Sequence, residues 1–245
     1  MIRSLLLLTA LLLPLPTQAA EIRILTTGAY RAILVDLAPT IERETGNHLV
    51  IQNDTAGAVV QKIRSGDTPD LVILTPAGAQ TLGPLVGPTQ PLAKVGIGIA
   101  VAIGAPRPDI TTEADIRAAL LAARAPAWID PAAGGSSGIY LAKLWQSWGI
   151  AAQLAPKAVL VNGGLVADAI HDGRADLAFQ QLSELTGHGV AILGPLPPSI
   201  QNDTLYVGAI PAAAAANRAA ATDIIARLTS PAAQAALLAH GMETP

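Results

Sequence analysis

The chain has 245 residues, 51% of them hydrophobic and only 13% charged, with a formal net charge of -3 and no cysteine. The lack of cysteine excludes a disulfide framework and a thiolate metal site. A small negative charge without a Lys/Arg run excludes nucleic acid as an expected partner, because phosphate binding needs a basic face. The four His residues have no metal-ligand spacing, so neither a metal nor another cofactor is expected.

The first 20 residues are typical of a secretory signal. Arg3 precedes the apolar runs Leu5 to Leu8 and Leu11 to Leu13, and small residues end the segment at Ala19-Ala20. This is the order of charge, apolar core and cleavage site in an export signal. The mature, soluble protein is therefore expected to begin near residue 21, and residues 1–20 are left out of the fold.

Three short apolar strands are predicted next, each followed by a polar or glycine-containing turn and then a helix. The strands are Ile22 to Leu25, Leu49 to Ile51 and Leu71 to Leu74, with turns at Thr26-Thr27-Gly28, Asn53-Asp54-Thr55-Ala56-Gly57 and Thr75 to Gly78. This pattern predicts a βαβαβ unit with a parallel sheet. Ligands bind at the carboxyl ends of such strands, so the three turns are expected to share one site. The alternative is that each turn only caps its helix.

The stretch from Val95 to Ile103 is rich in β-forming residues and glycine and has no helix signal, which predicts a crossing between two lobes. A helix from about Thr112 then leads to a strand at Trp128-Ile129.

The turn Gly134-Gly135-Ser136-Ser137-Gly138 follows that strand and opens a helix whose apolar stripe includes Leu141 and Trp145. A helix N-terminus has free backbone N-H groups and the positive end of the dipole, so serine and glycine there suit an anion. Two alternatives remain. Ser136 or Ser137 caps the helix, or Gly134-x-Ser136-x-Gly138 is a hydrolase nucleophile elbow. Pro131 to Ala133 separate the strand from the glycines and argue against an elbow, which needs its serine directly after a strand.

Two further strands are also expected to end in neutral hydrogen-bonding groups. Val159 to Val161 is followed by Asn162-Gly163-Gly164, and Leu177 to Phe179 by Gln180-Gln181-Leu182-Ser183. A return crossing is predicted at about Tyr206 to Ile210, before two Ala-rich helices that complete the fold. Ser230 and Pro231 form a cap and first-turn pair for the second of these helices.

Together these features resemble the type II periplasmic binding proteins, especially their molybdate-binding branch. The similarity rests on Thr26-Thr27-Gly28, Asp54-Thr55-Ala56-Gly57 and Asp70 to Ile73. It implies two Rossmann-like α/β lobes joined by two crossover strands. Residues 21–98 plus 205–245 would form the first lobe and residues 99–204 the second. The resemblance departs at Phe179-Gln180-Gln181, where molybdate binders have a Tyr.

The chain is also similar to a sub-branch that includes bacterial aconitate isomerases, through Thr26 to Tyr30, Gln52 to Gly57 and Gly134 to Gly138. This implies an organic polycarboxylate ligand, for which Arg31 is a candidate charge partner. The ligand-binding residues expected from the turns and from both resemblances are Thr26, Thr27, Gly28, Tyr30, Arg31, Asn53, Thr55, Ala56, Thr75, Gly135, Ser136, Ser137, Asn162, Gly163, Gln180 and Gln181.

Two functions follow from these interpretations. The first is a monomeric periplasmic protein that closes on a small anion, an organic polycarboxylate or an oxyanion, and delivers it to an ABC-type permease. The second is an aconitate isomerase on the same fold, which needs a general base in the cleft. Asp54 is the candidate base, and Asp130 is either a second candidate or a turn residue before Pro131.

Overall fold

The computed structural model describes residues 19–245 and contains two five-stranded sheets flanked by helices. The predicted export signal lies outside the described residues except for Ala19 and Ala20. The strands are β1 (Glu21–Thr27), β2 (His48–Asp54), β3 (Leu71–Leu74), β4 (Val86–Val95), β5 (Ile97–Val101), β6 (Pro126–Ile129), β7 (Val159–Val161), β8 (Leu177–Gln181), β9 (Ala191–Pro195) and β10 (Thr204–Pro211).

Helices connect the strands and cover both sheets. They are α1 (Gly28–Thr45), α2 (Ala56–Arg64), α3 (Pro76–Leu82), α4 (Glu113–Ala122), α5 (Ser136–Ser147), α6 (Ala151–Leu154), α7 (Val166–His171), α8 (Leu182–Leu185), α9 (Arg218–Arg227) and α10 (Pro231–Ala239). Within residues 19–245, no helix has the length and apolar character that a membrane crossing would require. The predicted cap at the start of α10 is confirmed, since the Ser230 hydroxyl accepts a hydrogen bond from Ala233 N-H and Pro231 is the first helical residue.

The first sheet has the order β2-β1-β3-β10-β4, and the second has the order β7-β6-β8-β5-β9. In each sheet three parallel strands carry the βα units, namely β1, β2 and β3 in the first and β6, β7 and β8 in the second. The remaining strands join antiparallel. The predicted α/β class with two lobes is confirmed, and the parallel strands turn their carboxyl ends to a single edge in each sheet.

The chain passes between the sheets at Gly96, where β4 of one sheet ends and β5 of the other begins. The sequence predicted one continuous β segment here, whereas the structure has two strands. The chain returns to the first sheet between β9 and β10, and Gln201 lies in this segment. Its side-chain amide bridges the two crossings, because it accepts from Ile97 N-H at 2.9 Å and donates to the Ile97 carbonyl at 3.1 Å. A side chain at position 96 would meet Gln201 Nε2 at 2.7 Å, so glycine leaves room for this bridge.

Apolar strands and helix faces form separate cores around the two sheets. In the second lobe Trp145 on α5 packs against Trp128, Phe179 and Trp148, with ring centroids 6.1, 5.6 and 5.1 Å away. The apolar stripe predicted for this helix therefore does face the core. Burial of aromatic side chains of this size fixes α5 firmly against β6 and β8, and with it the position of the glycine-serine turn.

Candidate functional site

A cavity of about 530 Å³ lies between the two lobes, at the edge where the parallel strands end. Its walls come from the β1–α1, β2–α2 and β6–α5 junctions, from the start of α7, and from α8 and the loop after it. The polar and glycine residues along it are Thr27, Gly28, Arg31, Asp36, Asn53, Asp54, Thr55, Gly135, Ser136, Ser137, Gly164, Ser183, Glu184, Thr186, Gly187, His188, Tyr206 and His240.

The N-terminus of α1 opens into this cavity without a side-chain cap. Thr27 is the N-cap residue and makes no capping hydrogen bond, and the first turn contains no acidic side chain. Within the described part of the chain the Thr27 hydroxyl is buried and has no hydrogen-bond partner. The first-turn N-H groups and this hydroxyl form a ready site for an anion.

The N-terminus of α5 reaches the cavity from the other lobe and is also uncapped. Gly135 is the N-cap residue, so Ser136 and Ser137 are the first two helical residues and neither caps the helix. The Ser136 hydroxyl accepts a hydrogen bond from the Gln181 amide at 3.1 Å. The structure therefore does not have the serine cap that was the alternative interpretation of this turn. A short 3-10 turn at Pro131–Ala133 also separates β6 from the helix, unlike a nucleophile elbow.

The two lobes touch directly beside the cavity. Gly57 N-H donates to the Gly134 carbonyl at 3.0 Å, and the Thr55 hydroxyl donates to the Ala133 carbonyl. Gly134 has a φ of +77°, and a side chain at that position would come within 2.9 Å of the Gly57 Cα. Two glycines are needed for this close backbone contact, which closes the cleft along one side.

In the part of the chain that the structure describes, the charges around the cavity leave one cation without an ion pair. Asp54 pairs with Lys62 at 2.8 Å and Asp36 with His240 at 2.7 Å. Arg31 is exposed at the cavity wall and makes no ion pair with any of residues 19–245. With two carboxylates already paired, an anionic ligand would find this guanidinium available.

Among the described residues, Glu184 is the carboxyl group of the cavity that has no ion-pair partner. Burial raises the pKa of Glu184 from its usual 4.5 to about 8, and the nearby Gln180 amide opposes this effect. The side chain is partly exposed to the cavity. Glu184 is therefore mostly protonated at neutral pH, so it adds little negative charge to the site.

Seven of the residues predicted for the site do not line this cavity. Thr26 is fully buried in β1 and donates to the Thr27 carbonyl, and Tyr30 lies in the apolar core of the first lobe. Thr75 caps α3 and faces a separate, more open depression. Asn162 and Gly163 do not line the cavity, whereas the following residue, Gly164, does.

Gln180 and Gln181 differ most from expectation, because they belong to β8 and are buried. Gln180 accepts from Val166 N-H at 2.7 Å and donates to the Gly164 carbonyl at 2.9 Å. The Gln181 amide donates to Ser136 and, at 2.9 Å, to Thr204. Both amides thus hold the loops of the site in place and do not offer their donors to a ligand.

Two candidate bases also have structural partners. Asp130 does not line the cavity, and its side chain accepts from Ala132 N-H at 2.9 Å, which is the turn role that the sequence left open. Asp54 lines the cavity but is held by Lys62. Sequence reasoning placed Ser183 at the end of the predicted strand but included neither Ser183 nor Glu184 among the site residues, because the four-residue helix α8 is too short to give a helical pattern. A carboxyl group beside the predicted strand end was the available signal.

Comparison with known proteins agrees with this architecture. Residues 22–243 match the family described as bacterial extracellular solute-binding protein. An aconitate isomerase from Pseudomonas sp. is 30% identical over 218 residues, which cover 82% of this chain and 80% of that protein.

Solved structures of binding proteins share the fold. The periplasmic molybdate-binding protein of Azotobacter vinelandii superimposes with a TM-score of 0.74 at 19% identity, covering 92% of this chain and all (100%) of that one. The substrate-binding domain of a putative molybdenum ABC transporter from Clostridium difficile gives 0.67 at 15% identity, with coverage of 93% and 100%. The two α/β lobes therefore have the fold of these binding proteins, and this chain belongs to the family of bacterial extracellular solute-binding proteins.

Proposed function

We propose that this protein is exported to the periplasm, binds an organic polycarboxylate in the cleft between its lobes, and delivers it to an ABC-type permease. The observation that carries the proposal is the pair of uncapped N-termini of α1 and α5, which face one cavity beside the unpaired Arg31. Helix N-termini and a free guanidinium bind carboxylates through charge-assisted hydrogen bonds.

Two carboxylate positions on opposite walls favour a di- or tricarboxylate over a single tetrahedral oxyanion. A cavity of about 530 Å³ is in the usual range for small-molecule sites and exceeds what one molybdate or sulfate ion would fill. The amides of Gln180 and Gln181 contribute nothing to this choice, since both are used within the protein. The similarity to an aconitate isomerase agrees with a polycarboxylate ligand.

The lobes would close around the ligand by a hinge motion. We place the hinge at Gly96 and in the segment between β9 and β10, where the chain changes sheets. This is close to the division into residues 21–98 plus 205–245 and residues 99–204. The Gln201 bridge to Ile97 would keep the two hinge segments moving together. The protein is proposed to act as a monomer.

Calorimetric titration with a ligand panel tests the proposal. We expect trans-aconitate, cis-aconitate or citrate to bind with a Kd in the micromolar range or below, and molybdate, tungstate and sulfate to bind at least tenfold more weakly. Tight molybdate binding together with no binding of any polycarboxylate would refute the choice of ligand.

A second candidate function, aconitate isomerisation, is favoured by Glu184. The cleft contains a carboxyl group without an ion-pair partner, and burial raises its pKa to about 8, which is close to neutral pH, as an acid–base catalyst requires. Proton NMR of trans-aconitate with catalytic amounts of protein tests whether the binding protein is also an isomerase. Conversion to the cis isomer would add isomerase activity to binding, and stoichiometric binding without conversion would leave binding alone.

A further inference from the structure

Glu184 lies where the two lobes meet, on the short helix α8 of the second lobe and beside the N-terminus of α1 in the first. Its carboxyl oxygen rests against Gly28, the first residue of α1, and a side chain at position 28 would collide with that oxygen. Glycine at this position therefore leaves room for the carboxyl group beside the first residue of α1. The Asn53 amide also lies near the space beside Gly28.

Two buried polar atoms of the cavity wall lack hydrogen-bond partners. Within residues 19–245, Thr27 Oγ1 and Ser183 Oγ are buried and make no hydrogen bond, and the two residues are 3% and 2% exposed. An unpartnered buried polar atom costs about 1–3 kcal/mol, so two of them along one cavity point to a ligand that satisfies them. Thr27 and Ser183 line the cavity together with Glu184.

We propose that Glu184 is the catalytic acid–base group of this cleft and moves a proton between two carbons of a bound tricarboxylate. The inference rests on the proposed function, since it takes the polycarboxylate bound at the α1 and α5 N-termini as the substrate. The ligand carboxylates would hold the carbon chain across the cavity, with its methylene group beside Glu184.

The step is an allylic proton shift and needs no second reactant. The Glu184 carboxylate takes a proton from the methylene carbon, and the electrons of that C-H bond form a new C=C bond. The electrons of the old C=C bond move to the former vinylic carbon, which takes the proton back from Glu184. The negative charge that develops on the adjoining carboxylate would be stabilised by first-turn N-H groups and Arg31.

The neighbouring charges are consistent with this role. The other titratable groups that face the cavity are Arg31 and Asp36 on α1, Asp54 of β2, Tyr206 on β10, His188 and His240. Asp36 and Asp54 are already paired. Burial first, and then the charge of Glu184, raise the pKa of Tyr206, so the phenol stays neutral opposite the carboxyl group.

The tests use Glu184→Gln, which keeps the size and loses the acid–base function, and Glu113→Gln on the exposed start of α4 as a matched control. We expect the wild type to isomerise trans-aconitate and to exchange its methylene protons in D2O. Glu184→Gln should lose at least 100-fold in kcat and in deuterium exchange while trans-aconitate affinity changes less than tenfold. The wild-type kcat/KM should rise about tenfold per pH unit below pH 8, because the base must be deprotonated.

The possible failures can be told apart. Full activity in Glu184→Gln, or trans-aconitate binding by the wild type without turnover or exchange, would overturn the role of Glu184 and leave the proposed binding function intact. No binding of any polycarboxylate would refute the binding function itself. If Glu184→Gln does not fold, Glu184→Asp withdraws the carboxyl group by one methylene and should lower kcat at least tenfold. An unchanged kcat in that variant would also overturn the role.

Discussion

Two helices that begin at the cavity, α1 and α5, differ from two that begin elsewhere, α4 and α10. Thr112 and Asp115 form a complete capping box at the start of α4, with Glu113 in its first turn, and Ser230 caps α10. By contrast, α1 and α5 have neither a side-chain cap nor an acidic residue in the first turn. The starts of α4 and α10 are thus satisfied by side chains of the protein, whereas the starts of α1 and α5 are free of such caps and can bind an anion.

This difference has an energetic consequence. A side-chain cap contributes about 1 kcal/mol to stability, so the free protein forgoes roughly that amount at each of the two ends. A bound carboxylate would restore it, because it accepts from the same N-H groups and interacts with the dipole. Ligand binding should therefore stabilise the protein markedly against heat.

The largest expected effect is a loss of ligand affinity when the guanidinium of Arg31 is removed. Arg31→Gln should weaken polycarboxylate binding by roughly 10- to 100-fold, because hydrogen bonds to charged groups contribute about 1.5–3 kcal/mol. The matched control is Arg64→Gln, since Arg64 is also exposed but lies at the end of α2 and does not line the cavity. Calorimetric titration of both variants checks this prediction, and equal affinities would remove Arg31 from the site.

Glu184→Gln should stabilise the free protein at pH 8 by roughly 1–3 kcal/mol. This range is smaller than the free energy that corresponds to the full pKa shift, because the side chain faces water in the cavity. Below pH 4.5 both the folded and the unfolded chain carry the proton, so the variant and the wild type should be equally stable. As the pH rises from 4.5 towards 8, the unfolded wild type loses this proton first, and its stability falls relative to the variant.

Urea denaturation at pH 4 and pH 8 measures this effect. A stability difference between Glu184→Gln and wild type that is the same at both pH values would show that the glutamate is not held protonated by burial.

The smallest expected effects, on stability and on affinity, distinguish the capped start of α4 from the uncapped start of α5. Thr112→Ala should lower the free energy of unfolding by about 1 kcal/mol and leave affinity unchanged. Ser136→Ala combined with Ser137→Ala should change stability by less than that, because neither hydroxyl caps α5, and should weaken polycarboxylate binding several-fold. Thermal denaturation and titration of both variants test this contrast, which fails if the serine variant loses stability but not affinity.

The fold could be predicted from short-range patterns in the sequence. Apolar strand runs and the helical stripe around Trp145 predicted the α/β lobes, and Ser230-Pro231 marked a helix start that the structure confirms. The Thr27 and Ser136 turns could be placed at strand ends by the same logic, and both reach the cavity.

The remaining site features depend on long-range contacts. Gln180 and Gln181 extend β8 because they pair with Gly98 and Ile97 of the distant strand β5, which no local pattern reveals. The pairing of Asp54 with Lys62 likewise appears only in three dimensions. Glu184 gains its altered pKa from burial between two lobes, and burial of a single glutamate has no sequence signature.

The central claim is that the two uncapped helix ends hold the ligand, and a crystal structure of the protein with trans-aconitate tests it most directly. We expect one ligand carboxylate within hydrogen-bond distance of the first-turn N-H groups of α1, and another at the first turn of α5, with Arg31 contacting one of them. A ligand bound outside the cavity, or inside it with both helix ends unoccupied, would contradict the claim.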